Sequence, residues 1–252
     1  MSDEKALGLD EAYSVKTPED NRRLYAKWAA TYESSFVDAK QYRYPKAISE
    51  VFNEHVPADT DEVARVVDIG CGTGLTGMYL SRLRSHLAID GLDISPEMLA
   101  EARQKKRLDE SAVYTNLNEC DLTQPVINTF EPYDALICSG TFTHGHLGPD
   151  ALKNVLSLVR PAGWIVIGVN NEHFEGKDFQ AELDSLAGAK RITAPEILRI
   201  DVYEKGSPHF GDQARVILAQ IIWCRWVPVT LGYVRIHSDI PNCLLISQPQ
   251  EA

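Results

Sequence analysis

Four glycines and three carboxylates in this sequence have the types and spacing to gather a nucleotide. In VVDIGCGTGLTG, residues 66–77, Gly72, Gly74 and Gly77 spell G-x-G-x-x-G directly after an apolar run. That spacing lets backbone approach a pyrophosphate, which is the chemistry of dinucleotide sites. The same stretch also carries Asp68 and Gly70, and the acid changes the reading. A pyrophosphate would bring negative charge to the mouth of the strand, where Asp68 would repel it. S-adenosylmethionine brings a cationic sulfonium and a cationic α-ammonium, which a carboxylate beneath the loop attracts directly or through water. Asp68 can equally serve the loop itself, accepting its N–H bonds, and the two roles are compatible.

Asp93 ends a second apolar segment in DGLDISPEML, at the sheet edge where open α/β sheets bind ligands. There it can accept both hydroxyls of a ribose, from NAD or S-adenosylmethionine alike. Asp121, in NECDLTQP, separates the two cofactors. A carboxylate at that strand end accepts from the adenine exocyclic amine, with the Leu122 N–H beside the ring; its plainer role is to cap the turn into LTQP.

His144 and His146, in GTFTHGHLGP, follow the fourth strand. Imidazole titrates near neutrality and suits proton removal from a methyl acceptor, so both are candidate catalytic residues, as is the hydroxyl of Tyr32. The competing role is structural, with the histidines ordering the turn around Gly140 and Gly145. A His-x-His pair also invites a metal, but no third ligand stands at motif spacing, and no metal is expected. The segment lacks the Asn/Asp-Pro-Pro-Tyr/Phe pattern used on exocyclic amines of nucleobases.

The elements that must position these residues alternate along the chain. Thr17, Pro18 and Asp20 mark a capped helix through TPEDNRRLYAKWAATYESSF, with Leu24, Trp28 and Tyr32 on one face. Strands are expected in RVVDI, HLAIDGLD, AVYTNLNECDL, YDALICS and GWIVIGVN. Helices are expected from Gly74 to Arg84, through SPEMLAEARQKKR, and through GPDALKNVLSLVR. This order implies a parallel sheet with helices on both faces. A further helix in DFQAELDSLAG and strands in EILRIDVYE and ARVILAQII would add an antiparallel edge hairpin. The expected fold is therefore a Rossmann-like, doubly wound α/β domain of about seven strands, mostly parallel. We divide the single domain 1–252 into an N-terminal helical lid region (1–60), a cofactor-binding core (61–172), and C-terminal strands with an unplaced apolar tail (173–252).

Composition narrows the partners. With 25 Lys+Arg against 36 Asp+Glu, the net charge of −11 repels nucleic acid and anionic membrane over most of the surface. The basic RQKKR run at 103–107 reads as a solvated helix end. The five cysteines show neither C-x-x-C nor zinc spacing and read as buried thiols in a reducing compartment. No stretch approaches the ~20 apolar residues that span a bilayer, and the acidic N-terminus lacks a signal h-region, so a cytoplasmic protein is expected. The apolar tail, residues 223–252, is the candidate surface for a homo-oligomer.

VVDIGCGTG, GLDISPEML, NECDLTQP, YDALICSGTFTHGHLGP and PAGWIVIGV resemble the successive motifs of class I S-adenosylmethionine-dependent methyltransferases, over about residues 15–170. Within that superfamily, YAKWAATYE, YRYP and GTFTHGHLGP resemble the Williams-Beuren-region methyltransferase-like branch. The resemblance implies S-adenosylmethionine as cofactor and S-adenosylhomocysteine as product. By position it implies that Gly70, Gly72 and Gly74 form the loop against the methionyl part, with Cys71 and Thr73 contributing contacts. Asp93 and Ile94 would hold the ribose, Met98 would lie near the adenine, and Asp121 and Leu122 would read its edge. Ser139 and Gly140 would line the methyl-donor end. Trp28 and Tyr32 match the helix that folds over the cofactor, where aromatic faces attract a sulfonium by about 0.5–2 kcal/mol. Arg43 and Tyr44 are candidates to reach a carboxylate of cofactor or acceptor, or equally to be solvated loop residues.

The function expected is methyl transfer to a small-molecule acceptor through oxygen, nitrogen or sulfur. Two alternatives from other classes are a nonenzymatic S-adenosylmethionine-binding or protein-partner module, and an NAD-dependent oxidoreductase resting on the literal G-x-G-x-x-G.

Overall fold

The computed structural model describes residues 15–58, 65–126 and 131–222. The apolar stretch 223–252, with Cys224, Cys243 and the oligomer surface expected there, lies outside the described residues.

Among the described residues seven strands form one sheet: β1 Arg65–Ile69, β2 Ala88–Asp93, β3 Tyr114–Glu119, β4 Tyr133–Phe142, β5 Val159–Asn170, β6 Glu196–Asp201 and β7 Gln213–Gln220. Their order across the sheet is β3-β2-β1-β4-β5-β7-β6. The first five run parallel, and β7 lies antiparallel between β5 and β6, which gives the expected edge hairpin. Strands covered by helices on both faces must be apolar throughout, and Val66, Val67 and Ile69 of β1 are wholly buried. Successive strands step outward from β1 to β3, then β4 returns to the other side of β1. That reversal opens a crevice at the carboxyl ends of β1 and β4, where the glycine loop stands.

The capped N-terminal helix is α1, Pro18–Trp28. Thr17 Oγ1 accepts the Asp20 N–H at 3.1 Å and Asp20 returns a bond to the Thr17 N–H at 3.2 Å. The regular helix expected as far as Phe36 stops sooner, passing through a 3-10 turn, Ala29–Thr31, into a π-helical turn, Glu33–Asp38. Thr31 and Ser34 hydroxyls donate to carbonyls three residues back, competing with the regular ladder. The altered winding turns Trp28, Tyr32 and Phe36 into one ring cluster, with centroids 5.1–5.5 Å apart.

Helix α2, Tyr44–His55, is absent from the sequence reading. Its Ile48, Val51 and Phe52 recur at helical spacing and are buried against the sheet. The remaining helices are α3 Leu75–Leu83, α4 Pro96–Ala102, α5 Leu152–Leu156, α6 Asn171–Gly176 and α7 Phe179–Gly188. Helix α4 ends before the basic run expected to close it. Arg107 folds back, donating to the carbonyls of Ser85 and Leu87 at 2.7 Å. The guanidinium thus satisfies loop carbonyls instead of a helix terminus.

Trp28 and Phe36 pack with Tyr44, Val202, Tyr203 and Ala214 in a buried cluster joining α1 to the β6–β7 end of the sheet. Among the described residues, no helix is long and apolar enough to cross a membrane.

Candidate cofactor and acceptor site

A cavity of about 230 Å³ opens over the carboxyl ends of β1, β2 and β4, beneath α1. It brings together most of the residues singled out in the sequence: Gly70, Cys71, Gly72 and Thr73 from the loop, Asp93, Ile94 and Met98 after β2, Asp121 and Leu122 after β3, and Ser139 and Gly140 of β4. Tyr32 and His146 line it too.

Each polar group has a local reason for its place. Gly70 adopts φ +62°, and a Cβ there would overlap the Thr141 side chain, so the turn out of β1 requires glycine. Gly72 donates its N–H to Asp93 Oδ2 at 2.8 Å, while Asp93 Oδ1 accepts the Ser95 N–H at 2.9 Å. Asp93 therefore ties the glycine loop to the end of β2. Burial raises its pKa, opposed by those N–H bonds. Asp121 Oδ1 accepts from the Thr123 N–H at 3.0 Å and its hydroxyl at 2.6 Å, so the turn-capping role is present and the residue also walls the cavity. Two buried atoms of cavity residues, Ser139 Oγ and Asn21 Oδ1, have no protein partner. Buried polar groups are ordinarily satisfied, so these suit a ligand with donors and acceptors of its own. The donor set, the glycine cradle and the two carboxylates fit S-adenosylmethionine.

Several expected contacts lie elsewhere. Asp68 does not line the cavity; it is wholly buried beneath the loop and accepts the Tyr114 hydroxyl at 2.7 Å. Burial pushes its pKa up to about 7, the Tyr114 and Gly77 donors opposing the rise. Gly74 is the left-handed N-cap of α3 and meets Ala102 and Tyr114 rather than the cavity. Trp28 lies behind the cavity wall, its indole donating to Ser35 Oγ at 3.0 Å. Arg43 pairs with Glu50 and Glu204, each at 3.2 Å, and is committed to the α2 surface. The His144 ring lines neither this cavity nor its neighbour and packs edge-on against His173. What His144 supplies is its carbonyl, 2.9 Å from His146 Nδ1.

The literal dinucleotide signature also dissolves here. The Gly77 N–H points to the Tyr114 hydroxyl at 3.2 Å, and a Cβ at Gly77 would overlap that phenol. The third glycine admits a tyrosine, so it is not evidence of a pyrophosphate.

The sequence reading missed Lys16, Asn21, Tyr25, Tyr42 and Thr141 as cavity residues. Asn21, Tyr25, Trp28 and Tyr32 follow a 3.6-residue period, so the inward face of α1 was legible as a stripe beside the one at Leu24. That helix is strapped over the crevice by Asn21 Nδ2 to the Gly145 carbonyl (3.2 Å), Arg22 to the Ile94 carbonyl (3.2 Å) and Arg22 to Glu119 (2.7 Å). Lys105 adds a pair with Glu33 at 2.6 Å.

Cysteine nucleophiles are disfavoured, since burial raises the thiol pKa of Cys71 and pushes Cys138 up to about 12. Among the described residues, no group of three or more His, Cys, Asp or Glu is placed to hold a metal.

The sheet order, mostly parallel with an antiparallel edge, defines a Rossmann-like fold of the kind found in methyltransferase structures. Residues 67–165 match the family model described as a methyltransferase domain. The chain is 28% identical over 162 residues to methyltransferase str2 of Strobilurus tenacellus, covering 63% of this chain and 53% of that protein. It is 32% identical to mouse glycine N-methyltransferase, over 42% of this chain and 40% of the relative. To the ubiquinone biosynthesis O-methyltransferase of Aeromonas salmonicida it is 28% identical, over 43% and 44%. The matches thus span about half the length of these relatives or less. Among solved structures, the magnesium protoporphyrin IX methyltransferase of Synechocystis with bound SAH superposes with TM-score 0.57 at 16% identity, covering 81% of this chain and 99% of that one. The cyclase SpnF gives TM-score 0.57 at 15% identity, over 82% and 98%.

Proposed function

We propose that this protein transfers a methyl group from S-adenosylmethionine to a small-molecule acceptor. The observation that carries the reading is the convergence of Asp93, Asp121, Ser139 and the Gly70–Gly72 loop on one cavity under α1. Asp93 offers its remaining lone pairs to the ribose hydroxyls, and Asp121 with the Leu122 N–H reads the adenine edge. Ser139 and Asn21 provide the unsatisfied polar atoms for the methionyl end. Bound S-adenosylmethionine supplies a methyl carbon already activated by its sulfonium. The protein's work is then to align the acceptor in line and exclude water, and α1 does the excluding.

The negative net charge favours a small acceptor over a polyanion. The resemblance of YAKWAATYE, YRYP and GTFTHGHLGP to the Williams-Beuren-region branch belongs to this same reading. So does a cytoplasmic setting, which the free, buried cysteines Cys71 and Cys138 suit.

Calorimetry with S-adenosylhomocysteine and, separately, NADH tests the cofactor. Binding of the first alone is expected; binding of NADH alone would return the reading to an oxidoreductase. Methyl-donor turnover across a metabolite panel then separates an enzyme from a binding module, since a module would bind cofactor and turn over none of the panel.

A further inference from the structure

A second, smaller chamber of about 70 Å³ adjoins the cofactor cavity. Tyr25, Tyr32, Tyr42, Gly140 and His146 line both, so they form the wall through which the two communicate. Among the described residues the rest of its lining is half aromatic, with Trp28, Phe36, Tyr44 and Tyr203, carries one acid, Asp212, and has no Lys or Arg. Arg43, next in sequence to Tyr44, is held by Glu50 and Glu204. A carboxylate or phosphate on the acceptor would find no countercharge here, whereas a flat apolar frame would find ring faces.

The dividing wall contains a hydrogen-bonded pair. His146 Nδ1 lies 2.9 Å from the His144 carbonyl, which can only accept, so Nδ1 carries the proton. Nε2 of the neutral ring is then an acceptor, and the Tyr25 hydroxyl donates to it at 3.0 Å. A phenol oxygen accepts as well as donates. Tyr25 belongs to α1 and His146 to the loop after β4, so the pair exists only while α1 covers the crevice.

Resting on the methyltransferase reading, we infer that the aromatic chamber takes a small uncharged phenol-like acceptor and that Tyr25 and His146 relay its hydroxyl proton during methyl transfer. The acceptor O–H gives its proton to Tyr25 Oη as the Tyr25 proton passes to His146 Nε2. The acceptor oxygen's electron pair forms the new bond to the methyl carbon, and the carbon–sulfur bond breaks with its electrons returning to sulfur. The products are a methyl ether, neutral S-adenosylhomocysteine and an imidazolium whose Nδ1–H is still held by the His144 carbonyl. Burial and the neighbouring His173 lower the His146 pKa, which keeps the ring neutral and ready to accept at physiological pH. The titratable groups around it are Tyr25 on α1, His144 in its own loop, His173 on α6, and Tyr32, Tyr42 and Asp212 lining the chamber.

The test uses the full chain and three probes: phenol, the nitrophenol 2,4-dinitrophenol, which is ionised at neutral pH, and glycine, which is charged at both ends. Formation of S-adenosylhomocysteine is measured for the wild type, Tyr25→Phe and His146→Gln, with S-adenosylhomocysteine affinity determined in parallel. Turnover of phenol but not glycine is expected. His146→Gln should lower kcat with phenol by roughly 10²–10⁴ and abolish the acidic limb of its pH profile, with Tyr25→Phe following in the same direction. With the nitrophenol both losses should shrink to within several-fold, because no proton remains to be moved. Equal losses on both phenols would overturn the relay and leave a positioning role. Turnover of glycine without phenol would overturn the acceptor class. Failure of the wild type to bind S-adenosylhomocysteine would instead overturn the methyltransferase reading beneath it.

Discussion

The Tyr114 hydroxyl donates to Asp68 at 2.7 Å in a wholly buried contact beneath the glycine loop. One phenol thereby serves β1, β3 and α3 together, since the same oxygen also accepts the Gly77 N–H. The pair has a pH signature. Asp68 has a folded pKa of about 7 against an ordinary carboxylate value near 3.8. The folded state then holds a proton that the unfolded state has lost, so stability is fully present below about pH 4 as far as this group is concerned. It declines as pH rises towards 7, by about 4 kcal/mol for a three-unit shift. Asp93 shifts the same way and adds to the trend. Asp68→Asn keeps an acceptor for Tyr114 without a charge, and denaturant unfolding across pH 4–8 should show a flatter profile than the wild type. An unchanged slope would remove Asp68 as its source.

Gly77 should be intolerant of a side chain for reasons of packing. A Cβ there overlaps Tyr114, so Gly77→Ala is expected to cost about 1–3 kcal/mol of stability with little change in S-adenosylhomocysteine affinity. Thermal unfolding and calorimetry on one preparation decide it. A large affinity loss without destabilisation would put Gly77 back among ligand contacts.

Asp93→Ala removes the proposed ribose acceptor and the anchor of the Gly72 N–H together. Loss of charge-assisted bonds worth about 2–4 kcal/mol should weaken S-adenosylhomocysteine binding by roughly 30-fold or more. Undiminished affinity in a folded variant would exclude Asp93 from the cofactor site.

The two ends of the N-terminal segment should separate on mutation. Trp28 is 1% exposed within the cluster that joins α1 to β6 and β7, so Trp28→Ala should cost about 3–5 kcal/mol in denaturant unfolding. Arg22 is half exposed and only straps the helix to Ile94 and Glu119, so Arg22→Ala should cost under about 1 kcal/mol while speeding cofactor dissociation. Stopped-flow release of S-adenosylhomocysteine reads the second effect, and equal release rates would show that the strap does not hold the lid.

Much of the architecture was legible because its signals are local. The apolar runs of β1, β2, β4 and β5, the Thr17 and Ser95 caps and the strand-helix alternation depend on neighbours in sequence, and they imply a parallel sheet with its ligand edge at the strand ends. The acids at Asp93 and Asp121 stand at those ends by virtue of strand length alone. Where regular periodicity met competing side chains, sequence reasoning overran: the helix thought to reach Phe36 is rewound by Thr31 and Ser34, and the one thought to include Arg107 stops where that guanidinium finds loop carbonyls.

Tertiary structure alone decided which polar groups face the ligand and which face each other. Asp68 and Asp93 both read as acids near a glycine loop, but alternation along β1 and the arrival of Tyr114 from β3 turn Asp68 under the sheet edge, whereas Asp93 ends its strand at the cavity. Tyr25 and His146 lie 121 residues apart and meet only because α1 folds over the β4 edge. Hydrogen bonds of such separation leave no periodic trace, since nothing in the local chain fixes either partner. The sequence determined the sheet and the edge at which chemistry would occur; the docking of one helix on that edge decided which side chains share it.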